Sequence, residues 1–364
     1  MPLRELSVAG YRSIRELRLE LGAINVLTGP NGCGKSNLYN SMFLLSKAAA
    51  GGLARAIAEE GGMPSVLSAN VERVRLTRKK PPRRVILSFT ADDYAYELQF
   101  GLPDSGPPVR EPSQFRLDPR VKEESVTLAA STVKLMQRHN ANVAIRNADG
   151  RMVDYPLSLL ESESVLSQIQ EPHLYPELSA LRMEVLRWRF YHGFRTDSHS
   201  PLRSPQIGVL TPVLSHDGSD LAAAIGTINE IGAAENLADA VDQAFPGATL
   251  SVRNEATRFS LLLHMPGVLR PLEATELSDG TLRYLCLIAA LLSPRPPALL
   301  ALNEPETSIH PDLIAPLARL IANASRNSQL WITTHSVALA ENIERVSGQP
   351  PIQLRMLHGA TVKG

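Results

Sequence analysis

Eight consecutive residues, Gly29-Pro30-Asn31-Gly32-Cys33-Gly34-Lys35-Ser36, fit the pattern GxxxxGK[ST], and Asn37 follows them. Glycines at this spacing let successive backbone N–H groups wrap a phosphate at a helix N-terminus, where the helix dipole favours negative charge. Lys35 would add a point charge on the outer phosphates, and the Ser36 hydroxyl would ligate Mg²⁺. Far downstream stand three more pieces: Leu277-Ser278-Asp279-Gly280-Thr281 ahead of an apolar run, Glu304 just beyond ALLAL, and His335 in LWITTHS. Phosphoryl transfer asks mainly for positioning and charge stabilisation, so one carboxylate for a water and one hydrogen-bonding group on the phosphoryl would suffice. Taken singly, Ser-Asp-Gly is an ordinary helix N-cap, Glu304 a strand-end acid and His335 a loop histidine. Their order and spacing favour the chemical reading.

These residues need elements to hold them. Before the glycine turn, the sequence predicts strands at LRELSVAG, at IRELRLEL with alternating Ile14, Leu17, Leu19 and Leu21, and at the buried-type run AINVLT. After the turn, Leu38, Met42, Phe43, Leu45, Ala49 and Leu53 carry a helical period interrupted near Gly51 and Gly52. Alternation then predicts a β lobe from VRLTR, RRVILSFT and YAYELQFGL, with turns at Pro81-Pro82 and Asp92-Asp93. SVTLA reads as a strand and NVAIRNADGRMVDY as a hairpin through Asp149-Gly150. Helices are expected from Pro176 to Phe190, from Ser219 to Ile231 and from Leu282 to Leu292, with strands at ATLSV and RFSLLLHM.

Composition narrows the class. The 364 residues are 44% hydrophobic and 20% charged, which excludes a disordered or fibrous chain. Lysine plus arginine and aspartate plus glutamate both number 37, so a nucleic-acid partner would need a local basic patch. Two cysteines, Cys33 and Cys286, are too few for a disulfide framework and fit a reducing compartment. The N-terminal segment has no apolar signal-peptide core, and Leu285 to Leu302 is interrupted by Ser293, Pro294, Arg295, Pro296 and Pro297; a cytoplasmic protein with no membrane partner is expected. His199, His216 and His310 lack ligand spacing, so Mg²⁺ is the one metal expected.

The order of phosphate loop, serine-glycine helix start, strand ending in acid and strand ending in histidine resembles ABC-type ATPases. The likeness is to the RecF-like and SMC-related branch with EPE-T-S-x-HP segments, related to the ATPase part of OLD-family proteins. Gly10 to Ile14 (GYRSI) is similar to the FRS segment of that branch, and His216 to Ile225 to its pre-signature helix. The resemblance implies an α/β P-loop NTPase, an ABC-type ATPase head with a mixed sheet, an N-terminal β lobe and an inserted α+β region. It implies ATP and Mg²⁺ as cofactors, Glu304 as the acid that orients or deprotonates water, and His335 as the switch histidine. Ser278, Asp279, Gly280 and Thr281 would form a signature that contacts nucleotide on a second copy, making an ATP-dependent homodimer. By the same likeness Arg12 would reach the nucleotide. OLD-type relatives carry a Toprim nuclease after the last ATPase strand; only Ser336 to Gly364 follow His335 here, so none is expected.

Two departures matter. Asn303 stands where the family commonly has aspartate, which removes an anionic partner from the metal; its amide oxygen could still accept a bond from metal-bound water, and Glu304 or Glu306 could supply charge. Asp279 puts a negative charge beside a phosphate site, and slow hydrolysis is the expectation. No glutamine between Ser36 and Leu102 fits a Q-loop; Gln99 lies within a strand.

Two arginine-rich groups bear on partners. Arg73, Arg75, Arg78, Lys79, Lys80, Arg83 and Arg84 could touch a nucleic-acid backbone, though a solvated hairpin tip is the plainer reading. Arg182, Arg187, Arg189, Arg195 and Arg203 surround WRFYHGFR and mix cations with aromatics as single-strand binders do; against this, Trp188 and Phe190 are commonly core.

The expected organisation is residues 1–102 for the first part of the head, 103–265 for an insertion, 266–345 for the second part and 346–364 for tail strands. The insertion lacks heptads, which argues against a long coiled coil, and its length argues against a transporter cassette. The expected function is a slow ATPase whose dimer cycle acts on DNA or a partner protein in repair, genome maintenance or defence. The alternative is a non-hydrolysing ATP sensor that scaffolds a separate effector.

Overall fold

The computed structural model of the chain describes residues 1–68, 84–103 and 114–364. The expected strand VRLTR, the Pro81-Pro82 turn and the basic residues Arg73 to Arg83 lie outside them. The chain forms two compact units, Met1–Gly22 with Gly29–Trp188 and Ile352–Gly364, and Ala23–Thr28 with Arg189–Pro351.

The chain begins with β1 (Leu3–Tyr11), β2 (Ile14–Glu20) and β3 (Ile24–Thr28), the last of which belongs to the second unit. Helices α1 (Lys35–Ala49), α2 (Leu53–Glu59) and the short α3 (Met63–Val66) follow. The first unit continues through β4 (Arg84–Ala91), β5 (Tyr94–Gly101), β6 (Arg120–Leu128), β7 (Lys134–His139), β8 (Asn142–Arg146) and β9 (Met152–Asp154). These make an eight-stranded antiparallel sheet in the order β2-β1-β4-β5-β6-β7-β8-β9. In β4 every second residue is buried, the period-2 pattern of a strand with one face on a core. Helix α1 packs on β1 and β4 through a stripe containing Leu38, Met42 and Leu45. Two further helices, α4 (Val165–Gln168) and α5 (Pro176–Leu186), complete this part.

A buried polar network ties α4 to the sheet. Glu124 on β6 accepts hydrogen bonds from Tyr96 Oη (2.8 Å), Ser164 Oγ (2.5 Å) and the Val165 N–H (2.9 Å). Arg138 on β7 lies 3.7 Å from the same carboxylate and donates to the carbonyls of Leu160 and Glu163. All donors converge on carbonyl or carboxylate oxygens, which is what a buried charge requires.

The sequence expected helix to run through Phe190, but α5 stops at Leu186. Trp188 is buried edge-on against Phe89, ring centroids 5.3 Å apart, and Arg189–Tyr191 form strand β10. A short aromatic run satisfies either period, and sheet pairing decides it here. Strand β7 was not foreseen, because LMQRH does not alternate cleanly.

In the second unit the chain runs from β10 through β11 (Gln206–Ile207), α6 (Leu221–Ile231), α7 (Ala234–Ala244), β12 (Thr249–Glu255), β13 (Arg258–His264), β14 (Leu272–Glu273), α8 (Asp279–Leu291), β15 (Leu299–Asn303), α9 (Ile314–Ala324), β16 (Gln329–Thr333) and α10 (Val337–Ser347). The parallel strands are β10, β15, β16 and β3, adjacent in that order. Leu299–Asn303 and Gln329–Thr333 are nearly continuous buried runs, as expected of parallel strands covered on both faces. Helix α8 is buried almost all round, from Leu282 through Leu291, and forms the centre of this core. Strands β11, β13 and β12, with β14 on β13, make a small antiparallel sheet. Helix α7, which the sequence reading missed, buries Leu237, Val241 and Ala244 at helical spacing. The chain closes with the hairpin β17 (Ile352–Leu357) and β18 (Ala360–Lys363) in the first unit.

Candidate active site

In the first unit, the segment Gly29–Gly34 precedes α1, whose first residue is Lys35. Gly34 takes the N-cap position in the left-handed region (φ 103°) and offers no side-chain cap. The first-turn N–H groups of α1 are therefore left for an anion. Lys35 is 4% exposed and folds back over the loop, its Nζ donating to the carbonyls of Gly29 (2.7 Å) and Pro30 (3.2 Å). Ser36 and Asn37 open the helix.

What stands beneath the loop explains its glycines. A Cβ on Gly29 would lie 2.2 Å from the Leu354 carbonyl oxygen, and one on Gly34 would lie 2.1 Å from Thr361 Oγ1. The hairpin β17–β18 thus forms the floor of the loop. Ser13 joins the two: its Oγ accepts from Asn37 Nδ2 (2.8 Å) and lies 2.7 Å from Thr361 Oγ1, and its carbonyl accepts the Thr361 N–H (2.9 Å). Arg12, expected to reach nucleotide, forms an ion pair with Glu60 (2.8 Å), which also accepts from Tyr11 Oη (2.6 Å). Burial, with Glu60 next to it, pushes the Tyr11 hydroxyl pKa well up. The Arg12 backbone, at φ 48°, turns the chain between β1 and β2.

In the second unit, β15 ends at Asn303 and Glu304 follows in the left-handed region (φ 48°), its N–H held by the Thr333 carbonyl at 2.8 Å. A non-glycine residue in this conformation is strained, and such strain gathers at functional sites. Glu304 Oε1 lies 3.1 Å from His335 Nε2, and both side chains are little more than one-third exposed. Asn303 Oδ1 accepts from Thr333 Oγ1 at 2.7 Å. Glu306 Oε1 accepts three bonds, from Thr334 Oγ1 (2.6 Å) and from the N–H groups of His335 (3.0 Å) and Ser336 (3.2 Å). The acid two residues after Glu304 therefore holds the turn that carries His335.

The segment expected to act as the signature, Ser278 to Thr281, lies in the same unit. Ser278 caps α8, its Oγ accepting the Thr281 N–H at 3.1 Å and lying 2.8 Å from Thr281 Oγ1. A Cβ on Gly280 would stand 2.5 Å from the Ser308 carbonyl oxygen, so glycine lets the helix start approach the turn after Glu304. Arg283, one turn along α8, donates to the Thr307 carbonyl at 3.0 Å, and burial lowers its pKa. Arg203 pairs with Asp279 at 2.7 Å.

Of the arginines that surround WRFYHGFR, Arg203 is thus turned inward, Arg195 pairs with Asp197 at 2.6 Å and Arg187 lies 3.5 Å from Glu184. Arg84 of the other basic group pairs with Glu123 at 2.8 Å. Sequence reasoning passed over the roles of Ser13, Thr361 and Arg203. Only Ser13 had a local signal, the GYRSI segment. No helix among the described residues is long and apolar enough to cross a membrane, and they contain no cluster of acid, histidine and cysteine that would hold a metal alone. Mg²⁺ held chiefly by phosphates and water, with Ser36 as protein ligand, is compatible with that donor set.

The parallel sheet β10-β15-β16-β3 and the glycine loop that leads into α1 give the fold of a P-loop ATPase head of the ABC type. Residues 24–341 match the family described as "AAA domain, putative AbiEii toxin, Type IV TA system", and the chain belongs to it. Among solved structures it is similar to an SMC head bound to the C-winged helix domain of ScpA (14% identity, covering 100% of this chain and 98% of that one, TM-score 0.54). It is also similar to the SMC head domain from Thermotoga maritima (15%, 100% and 98%, 0.51). A third is the Smc head with an extended coiled coil bound to the C-terminal domain of ScpA, from Pyrococcus furiosus (13%, 100% and 96%, 0.52). No curated protein sequence matches the chain.

Proposed function

We propose that the chain binds ATP with Mg²⁺, closes into a head-to-head homodimer on it, and hydrolyses it slowly to drive a cycle that acts on a partner protein or on DNA. The single observation that carries this reading is the Glu304–His335 pair at 3.1 Å, set on a strained backbone at the ends of adjacent parallel strands. Lys35 and the first-turn N–H groups of α1 hold the phosphates, and Ser36 takes the metal. Bound Mg²⁺ would neutralise charge on the phosphates. Glu304 orients the attacking water and accepts its proton, and His335 donates to the transferring phosphoryl. Ser278 and Gly280 approach the nucleotide of a second copy.

Asn303 sets the rate in this reading. A neutral amide, already bonded to Thr333, replaces the anion that usually supports the metal, so turnover is slow. The same feature favours a second reading, an ATP-gated scaffold without hydrolysis. On partners, the acids paired with Arg84, Arg187, Arg195 and Arg203 leave less charge for nucleic acid, which favours a protein partner in repair, genome maintenance or defence.

Steady-state ATPase with Mg²⁺, for wild type, Lys35→Ala and Glu304→Gln, with and without DNA and with mass by light scattering, separates the two readings. Turnover lost in both variants, with a dimer that persists in Glu304→Gln, supports the ATPase. Tight ATP binding without turnover leaves the scaffold.

A further inference from the structure

Arg203 is 12% exposed, and its guanidinium is surrounded by backbone carbonyls. Nη1 donates to Ala274 (3.0 Å), Thr275 (3.2 Å) and Leu277 (2.8 Å), the residues that lead into the α8 cap. Nε donates to Thr196 (3.0 Å) and Asp197 (3.2 Å) on another loop, and Nη2 meets Asp279 Oδ1 at 2.7 Å. The planar fork of arginine reaches all of these at once, whereas a lysine ammonium has three donors on one atom.

Asp279 itself poses a problem. Its side chain is 59% exposed in the first turn of α8, one residue after Ser278. An acid there suits the helix dipole but repels a triphosphate brought to the same helix start. Arg203 lies against it and cancels that charge.

We infer that Arg203 is a positioning residue for the signature segment: it fixes the backbone entering α8 and neutralises Asp279, so that this helix start can receive the triphosphate bound by a second copy. The inference rests on the function proposed above and adds to it the device that makes an acidic signature workable. It also places Arg203 in ATP-dependent closure and not in nucleic-acid binding.

The test uses the full chain: binding of a fluorescent ATP analogue and ATPase rates with Glu304 intact, and light scattering of the ATP-dependent dimer in the Glu304→Gln background. Arg203→Gln is expected to lower turnover at least tenfold and to raise by at least tenfold the protein concentration needed for the ATP-dependent dimer. Adding Asp279→Asn to Arg203→Gln is expected to recover at least fivefold of either loss, an effect that a purely structural arginine would not give. Wild-type behaviour in Arg203→Gln, or a loss that Asp279→Asn does not recover, overturns the inference. Should Arg203→Gln fail to fold, Asp279→Asn alone decides: it leaves the arginine cationic and is expected to strengthen the ATP-dependent dimer at least threefold, while a weaker or unchanged dimer overturns the inference. Wild type that shows no Lys35-dependent binding of the analogue removes the proposed function and the inference together. Wild type that binds and turns over while these variants miss their expected effects removes the inference alone.

Discussion

His335 Nε2 stands 3.1 Å from Glu304 Oε1, although the two residues come from the ends of different strands. Neighbouring parallel strands β15 and β16 bring them side by side, with Asn303 opposite Thr333 in the register. Glu304 is the group placed to accept a proton from water, so Glu304→Gln should lower turnover on the order of 10²–10⁴-fold. ATP binding should survive, and the ATP-bound dimer should accumulate in light scattering. Glu304→Gln turning over at the wild-type rate would remove the acid from the mechanism.

Asn303→Asp should restore an anion at the strand end without disturbing the packing, because Oδ1 can still accept from Thr333 Oγ1. Changes to groups around a metal ligand commonly shift affinity or activity by about 10–100-fold. The expected outcome is a gain of this order in turnover at limiting Mg²⁺, measured by titrating the metal at fixed ATP. A flat response would mean that Asn303 does not govern the metal.

Glu306 holds the turn before α10 through Thr334 Oγ1 and the N–H groups of His335 and Ser336. Glu306→Ala leaves these donors without their acceptor, which should destabilise the chain by about 1–3 kcal/mol in urea unfolding. Turnover should fall as well, because His335 loses its anchor. Glu306→Gln keeps a carbonyl acceptor and should retain most of both properties. Equal losses in the two variants would show that the charge, and not the hydrogen-bonding geometry, is what matters.

Legibility in the sequence followed the range of the interactions. The strand, glycine turn and helix around Gly29 to Ser36 could be read because consecutive residues carry the whole pattern. Leu299–Asn303 and Gln329–Thr333 could be read because strands buried on both faces need continuous apolar runs, and their polar ends point to Glu304 and His335. Arg203 on Asp279 and Thr361 beneath Gly34 were hidden, since each contact joins segments far apart in the chain by a loop path that no periodicity encodes. Arg189 and Phe190, expected at a helix end, lie in β10 because a short aromatic run fits a helix end and a strand equally.

The buried cluster around Glu124 carries a pH signature separate from the nucleotide chemistry. Burial raises the Glu124 pKa above the ordinary carboxylate value, against the opposing bonds from Ser164 and Val165, the charge of Arg138 and the bond from Tyr96. The folded chain therefore binds this proton more tightly than the unfolded chain does. Its contribution is fully present below the unfolded carboxylate value of about 4.3 and is lost as pH rises through the raised folded value. Glu124→Gln cannot titrate, so the Tm difference between wild type and this variant should move against wild type as pH rises from about 4. Thermal unfolding of both proteins across that range measures it. A difference that moves in favour of wild type on going to higher pH would mean that the paired arginine, and not burial, dominates at Glu124.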